Sequence, residues 1–309
     1  MKKLFWGLLI VLFAIISISF AFIRNNIEIT GSKKMAIPAA SLKRGLLQFN
    51  SWNNWWNVDN ESNILFFSNP KQSIAEDGLP VAQFQLFYNG NNTTCLFEIK
   101  PRSADSCTLY YYTATICESY SPIIRMQHFL RAIQLKKLLD TQLEKATAYY
   151  NNATNIYGIT IVQAKVKDST LISTKIITTD TPSATTVYKM IANLETYISQ
   201  HQGTIQNMPM LNITRIDTAH VHTMVAIPLL QDIPTSDEFI IKKMILGNIL
   251  ETNVIGDNQT IAKGFEGLKN YASDYRKLAP AIPFQSLLTN RLQEKDSTKW
   301  KTRLSYPVY

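Results

Sequence analysis

The run Leu171-Ile172-Ser173-Thr174-Lys175-Ile176-Ile177-Thr178 opens a rhythm that decides the fold of the last third of the chain. Its β-branched content predicts a strand. A helix-like stretch follows at Pro182–His201, then two more apolar strands at Pro209–Arg215 and Val221–Leu230. The order then returns, with a strand over Phe239–Glu251, a helix over Thr260–Leu278, and strands over Pro283–Thr289 and Trp300–Val308. A strand–helix–strand–strand unit used twice predicts an α+β domain with one antiparallel sheet and two helices. The cleft between its halves suits a small molecule.

The chain has 309 residues, which predicts two domains rather than one. An apolar fraction of 46% against 17% charged residues supports real cores and excludes a disordered chain. The net charge of +8 comes from dispersed lysines and arginines. A nucleic-acid surface gathers such charges with aromatics on one face, so no nucleic-acid partner is expected. Cys95, Cys107 and Cys117 contain no C-x-x-C pair and read as buried thiols. Pairing of Cys95 with Cys107 across neighbouring strands is the alternative in an oxidising compartment. His220 and His222 share one strand face near Asp217, but zinc needs a third ligand and usually a fourth. No metal and no cofactor is expected. The chain lacks the nucleophile-elbow, zincin, P-loop and dinucleotide-binding signatures, so no catalytic residue is nominated.

Met1-Lys2-Lys3 precedes a charge-free apolar run from Leu4 to Ile23. That length spans a bilayer, so residues 1–24 are predicted to be a single-pass transmembrane anchor. Ser19-Phe20-Ala21 offers small residues for signal cleavage instead. The short basic N-terminus predicts that the bulk of the chain lies on the extracytoplasmic (periplasmic) side of the cell membrane.

Residues 25–155 alternate differently. A first strand over Asn26–Thr30 leads to a short helix over Ala39–Phe49 and to the cluster Trp52-Asn53-Asn54-Trp55-Trp56. Strand-like runs follow at Asn63–Phe67, Val81–Tyr88, Thr93–Lys100 and Thr108–Ile116, with Asn89-Gly90-Asn91 as a hairpin signal. Ser121–Tyr150 is helical, with apolar residues Ile123, Met126, Leu130 and Ile133, then Leu135, Leu138, Leu139 and Leu143 at three- and four-residue steps. This order and the Trp52-x-x-Trp55-Trp56 cluster resemble the START/polyketide-cyclase-like (SRPBCC) superfamily. The resemblance implies a helix-grip fold, in which a curved sheet wraps the long helix around an apolar cavity. The polar stretch Asn151–Asn155 reads as a linker.

Residues 156–309 resemble the GyrI-like, or AraC-type effector-binding, small-molecule domain. Trp300-x-Thr302-x-Leu304-x-Tyr306-Pro307-Val308 is similar to that family's terminal strand, and Ala226-Ile227-Pro228-Leu229 to its strand ending in an Ile-Pro-Val step. Met208-Pro209-Met210 and Gly264-Phe265-Glu266-Gly267-Leu268-Lys269 resemble two further segments. The combined order resembles a bacterial membrane-anchored envelope protein. Family members that bind lipophilic cations place a buried Glu in the cleft. Here Gln285 aligns with it, Ile213 with a usual Tyr, and Leu287 with an aromatic. A shifted alignment would make Glu266 or Glu294 the acid. The resemblance implies non-catalytic binding of a small hydrophobic or amphipathic, uncharged ligand, with Gln285 as the polar contact. Tyr188, Tyr197, Phe265, Tyr271, Phe284 and Trp300 are the candidate walls. The alternatives are a hydrolase of the GyrI-like type and an envelope scaffold with closed pockets.

Overall fold

A computed structural model describes residues 5–11, 13–14, 25–56, 64–67, 71–74, 80–88, 91–167 and 170–309. The chain divides into two compact units, Met1–Ile156 and Tyr157–Tyr309. Both are mixed α+β with antiparallel sheets. Residues 5–11 and 13–14 are helical and exposed. Among the described residues no helix is long and apolar enough to cross a membrane. The rest of the expected anchor, the Ser19-Phe20-Ala21 site and the Asn89-Gly90 turn lie outside the described residues.

The first unit contains β1 (Asn26–Met35), α1 (Ala39–Leu47), a 3-10 turn (Phe49–Asn54), β2 (Ile64–Phe67), β3 (Lys71–Ile74), β4 (Pro80–Tyr88), β5 (Asn91–Ser103), β6 (Ser106–Ile116), α2 (Pro122–Tyr150) and the start of α3 (Ala153–Tyr157). The sheet order is β1-β6-β5-β4-β2, with β3 also on β4. The tryptophan cluster is core. Trp52 is fully buried, with its ring centroid 5.0 Å from Trp55, 5.2 Å from Phe84 and 5.7 Å from Phe97. Its Nε1 donates to the Leu46 carbonyl at 2.8 Å, and Trp55 Nε1 donates to the Tyr150 hydroxyl at 3.0 Å. Both indole donors are satisfied, as burial of such groups demands.

The apolar steps along α2 belong to two faces. Ala132, Leu135, Leu139, Leu143, Ala146 and Tyr150 are buried, whereas Ile123, Met126, Leu130 and Ile133 are exposed. At roughly 100° per residue, Ile133 and Leu135 point about 200° apart, so the first run does not continue the second. The segment expected as a linker is partly the short helix α3. Cys95, Cys107 and Cys117 are free and buried. Register explains this, because Cys95 pairs with Thr113 whereas Cys107 pairs with Pro101.

The second unit contains β7 (Val162–Lys165), β8 (Thr170–Thr178), α4 (Ala184–Gln200), β9 (Met210–Arg215), β10 (Val221–Leu229), β11 (Ile240–Lys243), β12 (Asn248–Ile255), α5 (Asn258–Asp274), β13 (Phe284–Leu287), a 3-10 turn (Ser297–Lys299) and β14 (Lys301–Val308). Its sheet order, β11-β8-β10-β9-β13-β14-β12-β7, reads the same from both ends once β8-α4-β9-β10 is matched to β12-α5-β13-β14. A pseudo-twofold therefore passes between β9 and β13.

The two helices start and stop alike. Ser183 Oγ accepts from the Thr186 amide at 3.2 Å, and Asp257 Oδ1 accepts from the Thr260 amide at 3.0 Å. Each is a side-chain cap for an otherwise unpaired N–H. Each helix then ends on a left-handed residue, Gln202 (φ 53°) and Arg276 (φ 53°). The following amides return to the helix, Gly203 to the Ile198 carbonyl and Lys277 to the Ala272 carbonyl, both at 2.8 Å. This closure is why α5 stops short of the expected Leu278. In α5, a Cβ at Gly264 would meet Leu304 at 2.5 Å, and one at Gly267 would meet the Tyr157 carbonyl oxygen at 2.8 Å. These glycines let the helix lie close to its neighbours.

One strand differs from expectation. The run Phe239–Glu251 is two strands at opposite ends of the sheet, since β11 pairs with β8 and β12 pairs with β14. Strand β7 does the reciprocal thing, pairing with β12 although it leads into β8. The two connectors meet where the Val166 amide donates to the Gly247 carbonyl at 2.9 Å.

Candidate functional site

Alternation along the strands separates two sheet faces. Val225, Ile227, Leu211 and Leu287 point to the face covered by α4, in one core with Val187, Ile191 and Leu194. Leu171, Met210 and Ala226 point the other way and pack with Met244 and Phe284. The consecutive residues Phe284 and Gln285 therefore lie on opposite faces.

Gln285 is buried on the helix-covered face. Its Oε1 accepts from Arg291 Nη2 at 3.1 Å, and the same Nη2 reaches Thr302 Oγ1 at 3.0 Å. The guanidinium carbon stands 4.9 Å from the Trp300 ring centroid. Arg291 Nε is buried without a hydrogen-bond partner. Burial holds the guanidinium below its ordinary pKa, and the Tyr188 hydroxyl acts in the opposite direction. The amide beside which a neutral ligand was expected is thus engaged by a cation from the following loop. The expectation of an uncharged ligand, which rested on Gln285 alone, loses its basis here.

The other aromatic candidates are tied into the fold. The Tyr188 hydroxyl donates to the Thr289 carbonyl at 3.0 Å and accepts from the Arg291 amide at 2.9 Å. Tyr197 stacks between His201 and Phe239, at 4.1 and 4.6 Å, and donates to the Pro234 carbonyl at 3.1 Å. Tyr271 stacks on Tyr275 at 4.2 Å and accepts from Gln163 Nε2 at 3.2 Å. Trp300 Nε1 donates to the Glu294 carbonyl at 2.8 Å. Phe265 is half-buried on α5, and Ile213 packs against the α4 core. Glu266 is exposed, and the Glu294 carboxylate accepts from the Asp296 amide at 3.0 Å.

Phe284 alone among the nominated residues lines a groove of about 300 Å³ on the face away from α4. Leu171, Met210, Met224, Ala226 and Met244 line it too. Val166 and Ile245 belong to the two connectors, so the exchange of edge strands builds the wall. Three methionines give it an adaptable, polarizable lining. No Asp or Glu is among the described residues that line it. Sequence reasoning missed this groove because its connector walls are distant in the chain, although the period-2 alternation of β8, β9 and β10 marks its floor.

The groove continues into a polar trough of about 120 Å³, which shares Val166, Met210, Met244 and Phe284 with it. Lys165, Lys167, Arg303 and Glu251 line the trough. Glu251 Oε1 accepts from the Ser305 hydroxyl at 3.2 Å, and Arg303 Nε reaches Asn253 Oδ1 at 3.5 Å. Lys243 is paired with Asp232 and also donates to Thr170 Oγ1 at 2.8 Å.

The first unit holds a separate cavity of about 460 Å³, lined by strands β4, β5 and β6 and the early turns of α2. Thr115 Oγ1 and His128 Nδ1 are buried there without partners. Burial holds His128 below its ordinary pKa, with Arg131 contributing in the same direction. Elsewhere, His220 Nδ1 lies 2.9 Å from Asp217 Oδ2 on the exposed β9–β10 turn. Among the described residues no group of three or more His, Cys, Asp and Glu is placed to hold a metal ion.

No protein-family model and no curated protein matches the chain. Several solved structures are similar. The EcmrR C-terminal domain matches at 13% identity and TM-score 0.39, over 49% of this chain and 98% of that one. EcmrR in its DNA complex matches at 13% identity and TM-score 0.44, over 61% of this chain and 72% of that one. SAV2435 bound to tetraphenylphosphonium matches at 15% identity and TM-score 0.34, over 49% of this chain and 94% of that one.

Proposed function

We propose that this chain is a non-catalytic binding protein of the GyrI-like type, whose second unit takes a small hydrophobic or amphipathic molecule into the groove walled by the crossed connectors. The observation that carries this reading is the groove itself, about 300 Å³ of mostly apolar lining with Met210, Met224, Met244 and Phe284 around it. Burial of apolar ligand surface contributes about 25 cal/mol per Å², so a ligand of modest size gains affinity without a fixed polar contact. A catalytic reading of the same groove lacks a carboxylate among its described lining residues.

The apolar run Leu4–Ile23 supports a single-pass tether that keeps both units beside a membrane, on its outer side. The helix-grip reading of the first unit supports a second pocket under α2. Neither role calls for nucleic acid.

Fluorescence titration with N-phenyl-1-naphthylamine, a neutral apolar probe, tests the groove. Ala281 is exposed and lines it, so Ala281→Trp fills the groove without entering the core. Saturable binding that this variant abolishes is the expected result. Binding unchanged by the variant refutes the assignment. Loss of membrane association on removal of residues 1–24 is expected from the tether, and retention refutes it.

A further inference from the structure

We infer that the first unit lies on a lipid bilayer through the outer face of the opening turns of α2, with Ile123, Met126, Leu130 and Ile133 in the interface. The inference rests on the proposed tether and adds which surface of the unit meets the lipid.

The face itself is the first support. At about 100° per residue these four side chains fall within about 80° of arc, on the side of the helix opposite Leu135, Leu139 and Leu143. The latter three are buried, whereas each of the four is 38% to 69% exposed. Farther along, the same outer stripe continues as Lys137, Thr141 and Glu144, all exposed. The outer face is therefore apolar over its first turns only.

The fold brings the N-terminal apolar run to that end of the helix. Helix α2 runs beside β1 in the same direction. Lys136 Nζ donates to the Thr30 carbonyl at 3.1 Å, Lys33 Nζ to Glu144 Oε1 at 3.0 Å, and the Ala36 amide to Asn151 Oδ1 at 3.1 Å. The strand from Asn26 to Thr30 covers about 13 Å, the rise of about nine helical residues, so Asn26 stands level with about Gln127. The start of β1 also meets the segment that leads into α2, since the Cys117 amide donates to the Asn25 carbonyl at 2.8 Å and Asn26 pairs with Ile116. Ile116 and Tyr120 are 71% and 90% exposed and extend the apolar surface there. The run Leu4–Ile23 ends two residues before Asn25, so a tether in lipid holds this patch within reach of the same lipid.

Charge agrees. Residues 119–139 include Arg125, Arg131, Lys136 and Lys137 and no Asp or Glu, and Arg24 stands between the apolar run and β1. An interfacial helix pairs an apolar face with basic residues that anionic lipid attracts. A second copy on this face would set the same basic segment against itself, because a twofold contact joins like to like.

Environment-sensitive labels on the full chain, reconstituted in phosphatidylcholine–phosphatidylglycerol vesicles, test the face. One nitrobenzoxadiazole label goes on Leu130→Cys. Another goes on Ala104→Cys, in the exposed β5–β6 turn at the far end of the sheet from Asn26. The native cysteines are buried, and the unsubstituted chain treated alike supplies the blank. Both substituted positions are accessible to solvent, and the far-ultraviolet spectrum checks that each variant folds. An interfacial helix sinks its apolar face into the headgroup boundary, so lipid-borne nitroxide is expected to quench the Leu130 label at least about threefold more than the Ala104 label. Equal quenching of the two labels, or none at Leu130, overturns the inference. A Leu130 label whose emission shifts to the blue without lipid quenching is covered by protein, and that also overturns it. In each of these cases vesicles that still carry the chain in flotation leave the tether standing. If the chain does not float with the vesicles, the tether falls and the face with it.

Discussion

Replacing Arg291 by Met tests whether the loop cation is a structural plug. The side chain of Met reaches as far as Arg Nε and keeps the apolar stem. Two buried partners lose their donor, because Gln285 is 8% exposed and Thr302 is 0% exposed. An unsatisfied buried polar group costs about 1–3 kcal/mol, so the pair contributes about 2–6 kcal/mol. Loss of the contact with Trp300 adds about 0.5–1 kcal/mol. Against this, the variant removes a desolvated guanidinium whose Nε has no partner, a relief of a few kcal/mol. The expected net is a destabilisation of about 2–3 kcal/mol, read as a shift of the urea midpoint. The triple variant Arg291→Met/Gln285→Leu/Thr302→Val removes the stranded groups as well, and it is expected to recover most of the loss. A neutral single variant, or a triple variant no better than the single, refutes the account.

Other expectations are narrower. Gly267→Ala brings a methyl to 2.8 Å from the Tyr157 carbonyl oxygen, and since backbone must move, a loss of about 2 kcal/mol or more is expected in chemical unfolding. Gln202→Gly and Arg276→Gly relieve left-handed residues at the two helix ends, and each is expected to stabilise by about 0.5–1 kcal/mol, raising the thermal midpoint by a few degrees. The buried thiols are expected to resist a disulfide reagent until the first unit unfolds, and rapid labelling of native protein would contradict their burial. Burial pushes Cys107 up to about 11 from 9.0, so the folded state holds its proton longer than the unfolded state. The stability linked to it is complete below about pH 9 and is lost as pH rises towards 11, and Cys107→Ala is expected to flatten that part of the profile.

Much of the second unit is legible because its signals are local. Ser183 and Asp257 stand where helices begin, and the strands of both repeats alternate visibly. The misread strand Phe239–Glu251 shows the limit. Its two halves pair with partners far away in the chain, and nothing within Met244–Gly247 except one glycine marks the break. The surroundings of Gln285 were illegible for a related reason. Gln285 is where a strand alignment puts it, but its neighbour Arg291 comes from an irregular loop with no periodicity to read. The helix α2 is legible from its three- and four-residue steps, but which of its two apolar stripes is buried is not, because a one-dimensional count of steps does not rank them.

The reciprocal lending of β7 and β11 has a consequence for assembly. Each repeat finishes the other's border, so neither can reach its final hydrogen-bonded width while its sibling is unformed. Unfolding therefore proceeds as a single event across the pseudo-dyad, not by peeling one repeat from the next. A backbone cut between Asp237 and Glu238, on the stretch that joins the two repeats, would leave the second unit's sheet unformed in either fragment and restore it when the fragments are mixed.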